Sequence, residues 1–136
     1  MTFDDLLTKG DIKIIPQNLT LITSMIKIIE NDLLFLKRLK LDSISSRKIL
    51  IGYYDILRMI IETIGLKKGY RIYSHEALTY LLIKINEYDS SQKFDCFRQL
   101  RNSLVHNGND VTVVEVRIII NDIRFLINRL KNIYLY

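Results

Sequence analysis

Residues 43–69, SISSRKILIGYYDILRMIIETIGLKKG, carry large apolar side chains three and four positions apart. This spacing places the side chains on one face of an α-helix. Ser43 is a favourable N-cap, and the glycines and lysines of 65–69 predict the end of the helix. The apolar residues that define this face are Ile49, Tyr53, Leu57, Ile60 and Ile64.

The helical period continues on both sides of this stretch. Asn18 or Pro16 is suited to start a helix at Leu19, Ser74 to cap another, and Thr112 opens a Thr-x-x-Glu capping box. The predicted helices span about 2–7, 19–36, 43–64, 74–91, 91–106 and 112–136. Residues 107–109 are predicted to end a helix and residues 70–73 to form a loop, and the segment at 11–15 is extended or helical.

Length and composition describe one compact domain. The chain has 136 residues, of which 49% are hydrophobic, enough for one substantial core. We predict an all-α, up-and-down bundle of four to five helices that spans residues 1–136 as a single domain. A second apolar stripe on the first and last long helices predicts a homodimer, although a tightly wrapped monomer core would also bury it. This stripe comprises Leu21, Met25, Ile28, Phe35, Ile119, Leu126 and Ile133.

Several classes of protein are excluded by residues that the chain lacks. The chain has a single cysteine, Cys96, which excludes an intramolecular disulfide framework and a zinc cluster. The sequence also lacks a Gly-rich loop of the kind that binds phosphate. We therefore expect no metal or cofactor. The acidic start MTFDD differs from a secretion signal, and no run approaches the roughly 18–20 apolar residues of a membrane span. We therefore expect a cytoplasmic protein with no membrane segment.

The helix over about 91–106 holds a polar group beside an apolar arc. Arg101 falls inside the arc, where a charge is unfavourable unless it is paired or faces a partly wet cleft. Arg98, Asn102 and His106 follow on the adjoining side, and Asn102 and His106 share a face. The arc comprises Phe94, Cys96, Phe97, Leu100, Leu104 and Val105, and it predicts a buried Cys96.

A guanidinium, an amide and an imidazole are suited to cleaving RNA without a metal. His106 can move a proton at the ribose 2′-oxygen or the leaving 5′-oxygen, Arg101 can hold the phosphate through two hydrogen bonds, and Asn102 can orient either group. A two-fold dimer would supply a second His106. The alternative is that Arg101 forms an ion pair with Asp55 or Glu62 and that His106 only ends the helix.

The stretch RNSLVH (101–106) resembles the Arg-polar-x-x-x-His signature of the HEPN superfamily, the higher eukaryote and prokaryote nucleotide-binding domains. The stretches SRKILIGYYDILR (46–58) and GYRIYSHEA (69–77) are similar to small archaeal and bacterial members, so the resemblance covers roughly residues 43–110. The resemblance implies a dimeric helical bundle in which the motifs of the two copies line a cleft at the interface. Such proteins often act as metal-independent endoribonucleases, and the resemblance implies that Arg101, Asn102 and His106 are catalytic.

The resemblance also implies a biological setting. Many such proteins are toxins or defence effectors paired with a small nucleotidyltransferase that acts as antitoxin. In toxins controlled by AMP transfer a tyrosine follows the histidine by two positions; here that position is Gly108, so this form of control is not expected. Other members lack catalysis and serve as binding modules for a nucleotidyltransferase or a nucleotide, which is the alternative function.

Further polar residues lie outside the motif. Lys67, Lys68 and Arg71 form the densest basic cluster and are candidate RNA contacts, with a solvated loop as the alternative, and Arg98 is an auxiliary cation. His75 either approaches the substrate groove or orders the start of its helix. A third hypothesis is a purely structural helical dimer in which Arg101 makes a buried ion pair.

Overall fold

The computed structural model describes residues 1–108 and 110–136 of the chain. Over these residues it is mostly helical, as the apolar periodicity predicts, with a small antiparallel sheet in addition. The elements in chain order are α1 (Phe3–Lys9), β1 (Ile12–Ile14), α2 (Leu19–Arg38), α3 (Ser46–Lys67), β2 (Tyr70–Ile72), α4 (His75–Lys84), α5 (Tyr88–His106), α6 (Val113–Leu130) and a π-helical turn (Lys131–Leu135).

Helix α3 lies at the centre of the molecule. It packs against α2, α4, α5, α6 and β2, so side chains around most of its circumference are buried. The predicted face from Ile49 to Ile64 is buried, and so is a second row that includes Tyr54 and Ile61. Burying each Ile or Leu side chain contributes about 1.5–3 kcal/mol. This helix therefore organises the core around the stretch that the sequence marks most strongly.

Polar caps start three helices where the sequence predicts them. Asn18 Oδ1 accepts a hydrogen bond of 3.0 Å from the backbone N–H of Leu21 at the start of α2. Ser74 caps α4, and Thr112 with Glu115 forms a reciprocal capping box on α6. These predictions are confirmed because a cap depends only on residues within one turn of the helix start.

The start of α3 differs from the prediction. The helix begins at Ser46 instead of near Ser43, because the Asp42 carboxylate organises the preceding turn. It accepts hydrogen bonds of 2.9 Å from the backbone N–H groups of Ser45 and Ile44, and these bonds lower the pKa of Asp42. A carboxylate is a stronger acceptor than a serine hydroxyl, so the turn at Asp42 takes precedence over a cap at Ser43.

The predicted loop at 70–73 is wrong, because Tyr70–Ile72 is a strand. It pairs antiparallel with Ile12–Ile14, so the ambiguous segment at 11–15 is extended. Ile12 lies opposite Ile72 and is fully buried, whereas Ile14 is exposed. The two strands are separated by more than fifty residues of sequence, so neither one shows a partner in its local pattern.

The connection between α4 and α5 lies earlier in the chain than predicted. Helix α4 ends at Lys84 and α5 begins at Tyr88, a few residues before the predicted start near 91. Asn86 has a φ of 66°, the left-handed conformation that lets the chain reverse sharply without a glycine. Glu87 follows and is buried, with 5% of its surface exposed.

The second apolar stripe divides between core and surface. Leu126 is buried, whereas Phe35 and Ile133 are 60% and 52% exposed. The homodimer therefore remains a prediction, since the structure contains one copy of the chain. In the part of the chain that the structure describes, no helix combines the length and the apolar character needed to cross a bilayer.

Candidate functional site

Arg101 is the most unusual charge in the molecule. It projects from α5 toward α3, where its guanidinium carbon lies 6.0 Å from the centre of the Tyr54 ring. Leu50, Phe97 and Leu104 line the same apolar crevice. Its Nε is buried and has no hydrogen-bond partner within 1–108 and 110–136. A buried donor of this kind is costly to leave unpaired, so an acceptor from outside the chain would stabilise it.

The predicted alternative for Arg101, an ion pair with Asp55 or Glu62, is wrong for the described residues. Glu62 pairs with Arg58 at 2.8 Å, one helical turn earlier on α3. No ion pair in 1–108 and 110–136 includes Arg101. The third hypothesis, which depends on a buried ion pair of Arg101, loses its structural basis.

Asn102 and His106 lie on the same end of α5 as Arg101, but in 1–108 and 110–136 no hydrogen bond joins the three side chains. Asn102 is half-buried, and His106 is exposed on the last residue of the helix. A helix turns about 100° per residue, so Asn102 and His106 lie about 40° apart around its axis, and Arg101 and His106 about 140°. Gly108 has a φ of 67° and ends this segment as predicted; Asn109 lies outside the described residues.

Arg47 anchors the end of α5 that carries the motif. Its Nε and Nη2 donate to the Leu104 carbonyl oxygen at 3.3 Å and 2.8 Å. The carbonyls of a last helical turn lack partners within the helix and carry partial negative charge, so a guanidinium there is stabilising. No local sequence pattern reveals this role of Arg47, because the bond joins residues 57 positions apart.

The predicted auxiliary cation Arg98 is held within α5. Its Nη2 lies 2.7 Å from Asp95, and Gln99 donates to the same carboxyl group at 2.9 Å. Its side chain is 21% exposed. Arg98 therefore lies one turn from Arg101 with its charge largely offset by a neighbouring acid.

The predicted basic cluster lies far from the motif. Lys67 donates to the Tyr134 carbonyl oxygen at 3.0 Å, and the Lys68 ammonium lies 5.8 Å from the Tyr134 ring centre. Arg71 is exposed on β2, opposite Lys13. Tyr54 and Lys67 are thirteen residues apart on one helix, which is about 20 Å along its axis. The structure therefore does not bring these three residues together with Arg101.

His75 faces α3. A hydrogen bond of 3.1 Å joins its Nδ1 to Tyr54 Oη, and the Tyr54 ring stacks on Phe94 at 5.7 Å. Ser74 provides the cap of α4 by accepting from the Ala77 backbone N–H. Ser74 therefore orders the start of α4, and His75 lies beside Tyr54, which Arg101 also contacts.

Charges around Tyr54 and His75 are mainly positive. Burial lowers the pKa of His75 below its ordinary 6.5, and Arg58 and Arg101 lower it further against the opposing effect of Asp55. Burial raises the pKa of Tyr54 to about 12 although Arg101 and Arg58 act in the opposite direction. At neutral pH, His75 is therefore neutral and Tyr54 is protonated.

The predicted buried position of Cys96 is wrong. Cys96 is exposed and lines an open groove of about 460 Å³ between α5 and α6, together with Phe97 and Phe125. Phe94 and Leu104 take the inward positions of the apolar arc and are fully buried. The arc is wider than the surface that the neighbouring helices cover, so residues at its edges remain exposed.

No protein-family model, curated protein sequence or solved structure matches the chain. The resemblance to the HEPN superfamily therefore remains a prediction. The described residues contain no group of three or more His, Cys, Asp and Glu side chains placed to hold a metal ion.

Proposed function

We propose that this chain is a metal-independent endoribonuclease, built as a HEPN-like helical bundle that acts as a homodimer. The observation that supports this proposal is Arg101, a half-buried guanidinium with a buried unpaired Nε and no carboxylate partner in the described residues. A charge in this state is stabilised when an anion binds. The phosphate of RNA is the anion suited to the imidazole and the amide on the same helix end.

The reaction is a transesterification at phosphorus. A neutral His106 takes the proton of the ribose 2′-OH while the 2′-oxygen attacks, and the bond from phosphorus to the 5′-oxygen breaks. A protonated His106 of the second copy gives its proton to the leaving 5′-oxygen. The products are a 2′,3′-cyclic phosphate and a 5′-hydroxyl.

The other motif residues stabilise the transition state. Arg101 donates to the phosphate oxygens, on which negative charge builds as the fifth bond forms. Asn102 orients the phosphate or the imidazole. His106 is exposed on the last residue of α5, within reach of a large substrate, and Arg47 holds the backbone of that turn in place.

RNA cleavage in the presence of EDTA tests this proposal. We expect purified protein to cleave end-labelled RNA and to leave 2′,3′-cyclic phosphates. His106→Ala should reduce the initial rate by about 10²–10⁴-fold, the contribution of general acid–base catalysis. Gln92→Ala, an exposed change on the same helix, is the matched control and should cleave at the wild-type rate. Sedimentation equilibrium should give twice the chain mass of 16.1 kDa.

A folded dimer that cleaves none of several RNAs would overturn the ribonuclease. The alternative is then a non-catalytic module that binds a nucleotidyltransferase or a nucleotide, and His106→Ala should leave that binding intact. Purified nucleotidyltransferase mixed with wild type and with His106→Ala would separate the two accounts.

A further inference from the structure

A second histidine lies beside Arg101 within the same chain. His75 and Arg101 both contact Tyr54, His75 through the hydrogen bond to Oη and Arg101 over the ring. His75 comes from α4, Arg101 from α5 and Tyr54 from α3. The proposed function does not use His75 or Tyr54, and their position beside an unpaired guanidinium requires a separate explanation.

The chain path explains why His75 reaches this level of the bundle. From Tyr54 to Lys67, α3 rises about 20 Å. After Gly69, which has a φ of 88°, the chain turns back and runs extended through β2. Six extended residues at about 3.3 Å each cover about 20 Å in the opposite direction, so His75 returns to the level of Tyr54.

The charges that act on His75 are mainly positive. On α3, Arg58 is paired with Glu62, and Asp55 adds a negative charge; on α5, Arg98 is paired with Asp95. Arg101 has no acid partner in the described part of the chain. At His75 the effects of Arg58 and Arg101 both exceed that of Asp55, so the potential there is positive. A positive potential beside neutral hydrogen-bonding groups favours an anionic ligand.

The hydrogen bond to Tyr54 also determines which part of His75 a ligand can contact. With Nδ1 engaged, Nε2 is the ring nitrogen that remains for a ligand. Because Tyr54 is packed against Phe94, the imidazole is held in one orientation. A ring fixed in this way loses little freedom on binding, which favours affinity.

We propose that His75 Nε2 and the Arg101 guanidinium bind one phosphate group of the RNA between them, with Tyr54 as the residue that positions both. This inference rests on the proposed function for the identity of the strand, but the phosphate site can be tested without cleavage. It makes His75 an in-chain partner of the motif, in addition to the His106 of the second copy.

Histidine NMR provides the test, because the chain has two histidines, His75 and His106. The imidazole signals of the full-length protein are followed while inorganic phosphate is added, and then a dinucleotide with 2′-deoxyribose; neither probe can undergo 2′-OH attack. His106→Ala assigns the remaining signal to His75. We expect that signal to shift and the pKa of His75 to rise on binding, since a bound anion favours the protonated ring.

Three variants and a control localise the phosphate. Arg101→Gln and His75→Gln should each weaken dinucleotide binding by about tenfold or more, the effect of losing a hydrogen bond to a charged group. Tyr54→Phe should weaken it less, because both ligands remain but the ring is no longer held. Arg117→Gln, an exposed arginine of α6, should bind as wild type does.

The possible results test the phosphate site independently of the proposed ribonuclease activity. A His75 signal that does not move at saturating phosphate in folded protein overturns the phosphate site, even if RNA is cleaved. Equal binding by wild type and His75→Gln overturns it as well. A His75 response without RNA cleavage supports the phosphate site and overturns only the proposed reaction.

Discussion

Two polar clusters of this molecule differ in whether the chain itself supplies their hydrogen-bond partners. Around Glu87, a buried carboxylate receives hydrogen bonds from Ser90, Arg129 and Tyr134 at 3.0 Å, 3.1 Å and 2.9 Å. Around Tyr54, the half-buried Arg101 leaves its Nε without a partner in the described residues. The first cluster is complete within one chain, and the second is not.

This difference in hydrogen bonding indicates which charged group stabilises the fold and which one is available to bind a ligand. Burial alone would raise the pKa of Glu87, but the hydrogen bonds from Tyr134, Arg129 and Ser90 outweigh it and hold the pKa below 4.5. This carboxylate therefore stabilises the fold, and it ties the α4–α5 turn to the end of α6. Arg101 contributes no comparable stability, so we expect its role to lie in binding.

The largest expected effect comes from removing the unpaired charge. Arg101→Met should lower RNA cleavage by about 10²–10³-fold, the usual loss when one donor to a developing oxyanion is removed. Its melting temperature should stay the same or rise, because an apolar side chain replaces an unpaired charge in an apolar crevice. Initial rates and thermal unfolding of the same preparation test both statements. A large drop in melting temperature would show that Arg101 is structural.

For the Glu87 cluster we expect the opposite result, a loss of stability without a loss of RNA cleavage. Arg129→Met should lower the free energy of unfolding by about 1–3 kcal/mol, because it removes a donor from a buried carboxylate. Cleavage per folded molecule should be unchanged. Urea unfolding measures the first quantity, and an unchanged unfolding midpoint would contradict the structural role of the Glu87 cluster.

A smaller effect on stability is expected when the pH is lowered. The pKa of Glu87 in the folded state lies below the ordinary 4.5, so its contribution to stability is fully present above that pH and is lost as pH falls through the lower folded value. Wild type should therefore lose stability below about pH 4.5 more steeply than Glu87→Gln does. Equal slopes in urea unfolding across that range would exclude Glu87 as a source of acid sensitivity.

The smallest expected effect is at Tyr54. Tyr54→Phe keeps the ring packed on Phe94 but removes the hydroxyl that holds His75, at a cost of about 1 kcal/mol. Urea unfolding should show this modest loss. A loss several times larger would mean that the hydroxyl has a structural role beyond the hydrogen bond to His75.

Much of the fold could be predicted from local pattern. The central helix, the caps at Asn18, Ser74 and Thr112, and the left-handed Gly108 all depend on residues within a few positions of each other. The predicted start at Ser43 failed within the same range, because Asp42 competes for the same backbone donors. Local prediction is therefore reliable where one side chain dominates and less so where two compete.

The candidate site could be predicted only in part. The spacing of Arg101, Asn102 and His106 is visible in the sequence, and so is the conflict between a charge and an apolar arc. The sequence did not show that Lys67 lies about 20 Å along α3 from Tyr54, which is beside Arg101. Nor did it show that Cys96 is exposed, since the width of the covered arc depends on how the neighbouring helices pack.

Helical class, the caps at Asn18, Ser74 and Thr112, and the motif follow from the chain alone, because helical periodicity and capping are properties of neighbouring residues. The pairing of β1 with β2, the support of α5 by Arg47 and the meeting of His75 with Tyr54 were decided by the tertiary structure. Each joins residues more than twenty positions apart, and no local pattern records which distant partner a side chain will meet.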